Sequence, residues 1–347
     1  MNQTKESLHG SIVQQRENLT ELLYEPLHQL SEACSRIWGE RAKMEAVLNE
    51  GFPSVPYCKF LYALDTNAVQ ITSNISCDGP IVAHFGRDRS DRPYMREALL
   101  ATGFFDKNRE QHYQQWPYLR EGVQATDFLL CEAYISLRAL RPSLTAIQFV
   151  RNAQGNVLGF IGADFALRDL PQTHRLYEEP RHWRQFEGDP SIRSMVFKQT
   201  RAESMMDRHL DTVLSVVEEL MLDHGVYHVI LHFSSSQAIV WTMDDPYRYR
   251  VLTMDMLIDP DSCMAYPKRQ YPTEALVPAH QVRAVLDNLK TLRFMNEMLY
   301  LRSGTLNIFN GIVGLTFACD GSHYIPYDEF LNMDQTFWVG GRLLKGF

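Results

Sequence analysis

A chain of 347 residues is longer than one hydrophobic core ordinarily organises, so two domains are expected. With 45% hydrophobic and 22% charged residues it is a globular composition, and no apolar run approaches the ~18 residues of a membrane span. A net charge of −8 argues against nucleic-acid binding through bulk charge. The N-terminal stretch is polar and lacks the basic-then-apolar layout of a secretion signal. The six cysteines are scattered without a CxxC pair, as in a cytoplasmic protein with reduced thiols.

Residues 4–50 read as helix, because Leu19, Leu23, Leu27, Leu30, Ala33 and Ile37 recur at spacings of three and four. Pro26 lies inside that stripe and predicts a kink or a join between two helices. Gly51-Phe52-Pro53 ends the helical region. From Cys58 the period changes to two: Phe60, Tyr62 and Leu64 share one side of a strand over 59–64, Asp65–Ala68 turns, and a second strand is expected over 69–75. Asn67 is the residue of that turn best suited to a left-handed backbone.

Next comes Gly86–Arg96, GRDRSDRPYMR, which carries the signals of a helix start. Ser90 or Asp91 can cap, Pro93 suits the first turn, and an arginine beside the free N–H groups makes a site for a carboxylate or another small anion. The alternative is a solvated charge run that pairs with itself. Residues 104–128 are rich in aromatic and polar groups, Trp116 among them, with no clean period; that length suggests a functional loop.

Three strands follow. Over 129–137, Leu129, Cys131, Ala133, Ile135 and Leu137 alternate with Glu132, Tyr134 and Ser136. Strands 144–150 and 157–165 flank the turn Asn152–Gly155 and make an antiparallel hairpin. Gly159, Gly162 and Ala163 weaken the last strand unless something approaches it closely. Asp164 shares a face with Phe160 and Gly162 and needs a partner: its own loop, a protein donor, or a ligand cation.

In the second half, Ser191–His224 reads as one long helix closed by Gly225, and strands are expected over 226–233, 237–243 and 249–258. A helix over 278–302 ends at Ser303-Gly304, and one long or bent strand over 305–319 turns at Asp320-Gly321 towards 323–327. This repeats the order of the first half, and a PAS-like sheet is one reading of it. The boundaries are 1–175 for the first domain and 191–347 for the second. No zinc spacing, phosphate-binding glycine loop or G-x-S-x-G elbow occurs, so neither a metal nor a cofactor is expected.

One ordered series carries a resemblance: LYALDTNAVQITSNIS (61–76), GRDRSDRPYM (86–95), EAYIS (132–136) and LTAIQFV running into NAQGNVLGFIGADFALRDLP (144–171). Over about residues 10–171 the chain resembles the Cache (PDC) family of bacterial ligand-sensing domains, relatives of the PAS fold. The resemblance implies an α+β architecture: a long N-terminal helix leading into a mostly antiparallel sheet with a small-molecule pocket over one face. It further implies that Arg92 grips a ligand carboxylate, that Tyr94 and Tyr134 line the pocket, and that Asp164 takes a ligand amine. Ser136, on the face of Tyr134, and Trp116 of the aromatic loop complete the candidate set. An amino acid, amine or carboxylate is the implied ligand, although the tryptophan–tyrosine pair usual after the arginine in amino-acid binders is replaced here by Pro93-Tyr94-Met95.

The expected function is therefore a cytoplasmic small-molecule sensor, working as a homodimer and relaying binding by helix rearrangement to a separate signalling output protein. It is not expected to be an enzyme. The alternatives are an enzyme using Asp164, Glu132 or Tyr134 as acid or base, and a non-catalytic interaction scaffold.

Overall fold

The computed structural model describes residues 7–102, 127–179, 189, 200–318 and 321–333. They form two compact units: Val13–Tyr134 with Ser143–Pro171, and Met1–Ile12 with Ile135–Pro142 and Gln172–Phe347. The fold is α+β, with a long N-terminal helix and two separate antiparallel sheets.

In the N-terminal unit, helix α1 (Leu8–Ser35) is followed by α2 (Arg41–Gly51). Leu19, Leu23, Leu27, Leu30 and Cys34 form the buried stripe of α1. The helix runs unbroken through Pro26, and the join falls instead at Gly39, whose φ of +90° suits a residue without a Cβ. One missing N–H is a local loss, while the leucine stripe on either side of it stays fully packed.

Strand β1 (Phe60–Asp65) leads into β2 (Asn74–Ser76) and β3 (Gly79–Ile81), then helix α3 (Pro93–Thr102), β4 (Phe128–Leu130), β5 (Tyr134–Ile135), β6 (Pro142–Arg151) and β7 (Val157–Ala166). The sheet order is β3-β2-β1-β7-β6-β4, with β5 also on β6. The first and last strands are thus neighbours in the middle.

Three expectations change here. The second strand begins only at Asn74, because Gln70, Thr72 and Ser73 are buried and spend their polar groups inside the unit. In the turn before it, Ala68 itself takes the left-handed backbone at φ 63°, not Asn67. Asp65 Oδ1 holds that turn by accepting from the N–H groups of Asn67 (2.9 Å) and Val69 (2.8 Å). The strand expected over 129–137 is broken after Leu130, where the Arg16 guanidinium takes the carbonyls of Leu130 and Cys131. The β6–β7 hairpin is as expected, with Gly155 at φ +83° in its turn.

The C-terminal unit opens with a helical turn, Met205–Arg208, capped by Ser204, and continues as α4 (Leu210–Asp223). Residues 200–204 are not helical, so the single long helix expected from Ser191 is not formed over them; 191–199 lie outside the described residues. Strands β8 (Val226–His232), β9 (Gln237–Thr242) and β10 (Asp245–Leu252) precede helix α5 (Ala279–Arg293), then β11 (Leu301–Asn307), β12 (Ile312–Phe317), β13 (Ser322–Pro326) and α6 (Tyr327–Asn332). Helix α5 stops at Arg293, and Ser303-Gly304 belongs to β11, where a Cβ on Gly304 would come within 2.8 Å of Leu289. The absence of a side chain there sets the close packing of sheet on helix.

The expected strand over 305–319 is two strands, turned by Asn307, whose Oδ1 accepts from the N–H groups of Phe309 and Asn310. The sheet order is β10-β9-β8-β11-β12-β13, two meanders joined through their first strands. The order of the first sheet, with its first strand beside its last, is not repeated, which corrects the PAS-like reading of this unit. Among the described residues no helix is long and apolar enough to cross a membrane.

Candidate functional site

Register assembles the site. On β1, β7 and β6 the residues Phe60, Tyr62 and Leu64, Phe160, Gly162 and Asp164, and Thr145, Ile147 and Phe149 share one face, with Tyr62 opposite Gly162 and Thr145 opposite Asp164. Tyr94, Met95, Ala98 and Leu99 of α3 pack on that face. Trp38, between α1 and α2, approaches the other face at Gly159. The close approaches expected at the glycines of β7 are therefore protein side chains, one on each side.

At Gly162 the approaching group is the Tyr62 ring. A Cβ there would lie 2.4 Å from the Tyr62 ring and 2.9 Å from its hydroxyl. The bare backbone lets the ring lie across β7, where its hydroxyl donates to Asp164 Oδ1 at 2.8 Å. Tyr62 is buried and cannot swing out. Gly162→Ala is expected to destabilise the N-terminal unit by about 1–3 kcal/mol through overpacking. Urea denaturation checks this; an unchanged midpoint would mean the ring yields freely.

Asp164 Oδ1 also accepts from Thr145 Oγ1 at 2.9 Å, and Thr145 is bonded in turn to the Tyr134 hydroxyl at 2.9 Å. The other oxygen, Oδ2, stands 3.8 Å from Arg89 Nη1, an ion pair without a hydrogen bond, and the side chain keeps 19% of its exposure. Burial pushes the Asp164 carboxyl up; the charges of Arg89 and Arg92 and the bonds from Tyr62 and Thr145 work against it.

Arg89 is the arginine at the centre of the cluster, and sequence reasoning missed it. It is 7% exposed and fully committed: Nε donates to Gln70 Oε1 at 2.9 Å, Nη1 to the Tyr94 hydroxyl at 2.9 Å, and Nη2 to Asn74 Oδ1 at 3.1 Å. Its guanidinium carbon lies 4.0 Å over the Tyr62 ring. Burial alone would lower Arg89, but Tyr62, Tyr94 and Asp164 hold it raised. The signal that could have found it is the set of buried acceptors at 70 and 74, which need a donor fork.

Arg92 sits at the entry to α3, its carbonyl accepting from the N–H groups of Met95 and Arg96. Its side chain is half-buried and has no hydrogen-bond or ion-pair partner among the described residues, while its charge acts on Asp164. Tyr94 is buried, with its ring centroid 5.5 Å from that of the half-buried Tyr134. Burial, then the Asp164 charge, pushes the Tyr62, Tyr94 and Tyr134 hydroxyls up, so all three keep their protons at neutral pH.

Three of the six candidates, Tyr94, Tyr134 and Asp164, thus come together around Arg89, and the charge of a fourth, Arg92, acts on Asp164. Ser136 does not join them: its hydroxyl accepts from the Ala139 N–H in the tight turn after β5, a local use that alternation could not show. Trp116 lies outside the described residues. Glu132 is exposed. No cluster of three or more metal-ligating side chains occurs among the described residues.

No family model matches the sequence, and no curated protein matches it. Among solved structures, it is similar to an extracellular ligand-binding receptor from Desulfohalobium retbaense, at 10% identity and a TM-score of 0.34 over 47% of this chain and 25% of that one. It is also similar to the ligand-binding domain of the Campylobacter jejuni chemoreceptor Tlp3. The complex with 4-methylisoleucine gives 13% identity and a TM-score of 0.32 over 48% of this chain and 60% of that one. The complex with L-valine gives 14% and 0.28 over 46% and 55%. The matched part spans less than two thirds of each of these chains. Each of these comparisons covers just under half of this chain.

Proposed function

We propose that the N-terminal unit is a sensor for a small molecule bearing a carboxylate and an amine. The observation that carries this reading is a pair of poles that act on each other: the half-buried Arg92 guanidinium, and the Asp164 Oδ2 oxygen, which is ion-paired with Arg89 at 3.8 Å. Neither has a hydrogen-bond partner among the described residues, and the tyrosines 94 and 134 stand beside them. A guanidinium suits a carboxylate, and a carboxylate oxygen suits an ammonium. Because Arg92 and Tyr94 both belong to the start of α3, a ligand held there favours one position of that helix over another, and only such differential affinity can transmit binding. The reading includes a homodimer in the cytoplasm with its output in a separate protein. The five free cysteines among the described residues support a reducing compartment.

Thermal-shift and calorimetric screening of amino acids, amines and carboxylates tests the site. Arg92→Ala is expected to weaken a carboxylate-bearing ligand by about 10–100-fold, the loss of one charged hydrogen bond, with the fold intact. Asp164→Asn should do the same for amine-bearing ligands. Equal binding by wild type and both variants would remove the site. Catalysis by Asp164, Glu132 or Tyr134 has no separate observation behind it.

A further inference from the structure

The hydrogen-bond directions around Asp164 say what kind of amine it can take, an inference that rests on the sensor reading. A threonine hydroxyl has one proton, and that of Thr145 goes to Asp164 Oδ1, 2.9 Å away. Tyr134 must then be the donor in its 2.9 Å bond to Thr145. On the other side, Arg89 Nη1 donates to the Tyr94 oxygen at 2.9 Å, and Tyr62 gives its proton to Asp164 Oδ1 at 2.8 Å. The relay from Tyr134 through Thr145 and the Tyr62 hydroxyl therefore end on the same carboxylate oxygen.

What the hydrogen bonds among the described residues leave unused at this end is acceptors: Asp164 Oδ2, ion-paired with Arg89 at 3.8 Å but accepting no hydrogen bond, and the remaining lone pair of the Tyr134 hydroxyl. Partly buried acceptors are costly unless a ligand brings protons to them. Three tyrosine rings would otherwise suit a quaternary ammonium through their faces, but the face of Tyr62 is already covered by the Arg89 guanidinium at 4.0 Å. We infer that the site selects a primary ammonium, with up to three N–H donors, over an N-methylated or quaternary one, and that Thr145 is a positioning residue that fixes this polarity.

Calorimetric titration of the full chain with L-alanine, L-valine and L-leucine, each against its Nα-trimethyl counterpart, tests the inference. Every primary amino acid that binds is expected to bind about 10–100-fold more tightly than its trimethyl form. Thr145→Val should weaken the primary amino acid about tenfold and leave binding of the matching carboxylate without an amine unchanged, and Thr145→Ser should restore it. A merely structural role for Thr145 would weaken both probes alike and overturns that assignment. Trimethyl forms that bind as tightly as primary ones, in a manner still lost in Arg92→Ala, overturn the inference while leaving the sensor reading standing. Absence of any binding that depends on Arg92 and Asp164 overturns both.

Discussion

Replacing Arg89 by methionine is expected to lower the unfolding free energy of the N-terminal unit by about 3–5 kcal/mol, the range for breaking a buried charged pair from one side. Methionine fills much of the same volume, so the loss is polar rather than steric. It strands Gln70 Oε1, Asn74 Oδ1 and the Tyr94 oxygen away from water and leaves the Asp164 charge with one cation fewer. Arg92→Ala, by contrast, removes a guanidinium with no protein partner among the described residues and should change stability by no more than about 0.5 kcal/mol. Urea denaturation of the two variants side by side separates the structural arginine from the ligand-facing one. If Arg92→Ala proved the more damaging, the two roles would have been assigned the wrong way round.

The second large effect belongs to the C-terminal unit. Asp207 and Arg293 form a two-bond pair, Nε to Oδ1 at 2.8 Å and Nη2 to Oδ2 at 2.7 Å, with both side chains 0% exposed. Asp207 Oδ2 also accepts from the Ser204 N–H at 2.9 Å, and Ser204 caps the helical turn in return. Asp207→Ala therefore removes half of a capping box and leaves a buried guanidinium with backbone carbonyls and two aromatic rings but no counter-charge, at an expected cost of about 3–5 kcal/mol. Changing both partners, Asp207→Leu with Arg293→Met, should recover most of that loss, because the penalty comes from the unpaired charge. A denaturation midpoint unmoved by Asp207→Ala would mean water reaches Arg293.

The elements legible in the sequence are those set by near neighbours. The leucine spacing of α1 and the two-residue alternation of β1, β6 and β7 are local periods, and each places its element to within a few residues. Gly225, at φ +71°, closes α4 as its position implied. The failures share a cause. Pro26 disturbs only its own turn, whereas the helix around it is held by packing along its whole length. The strand expected over 129–137 alternates well, yet a guanidinium from α1, more than a hundred residues earlier, takes the carbonyls it would have used.

The same division runs through the site. Unaided, the sequence determined that a carboxylate follows Gly162 on one face of the last strand, that an arginine-rich helix start lies before Tyr94, and that β7 must have close neighbours at its glycines. Which neighbours, and which arginine, only the tertiary structure decided. Arg87, Arg89 and Arg92 have the same chemistry within six positions of one loop, and no local rule ranks them. The choice was made by Gln70 and Asn74, brought under Arg89 when the chain folds back from β1, and by a ring from β1 lying over a bare backbone on β7. Pairing partners in a sheet are set by register between distant segments, and a two-residue period carries no record of what stands opposite.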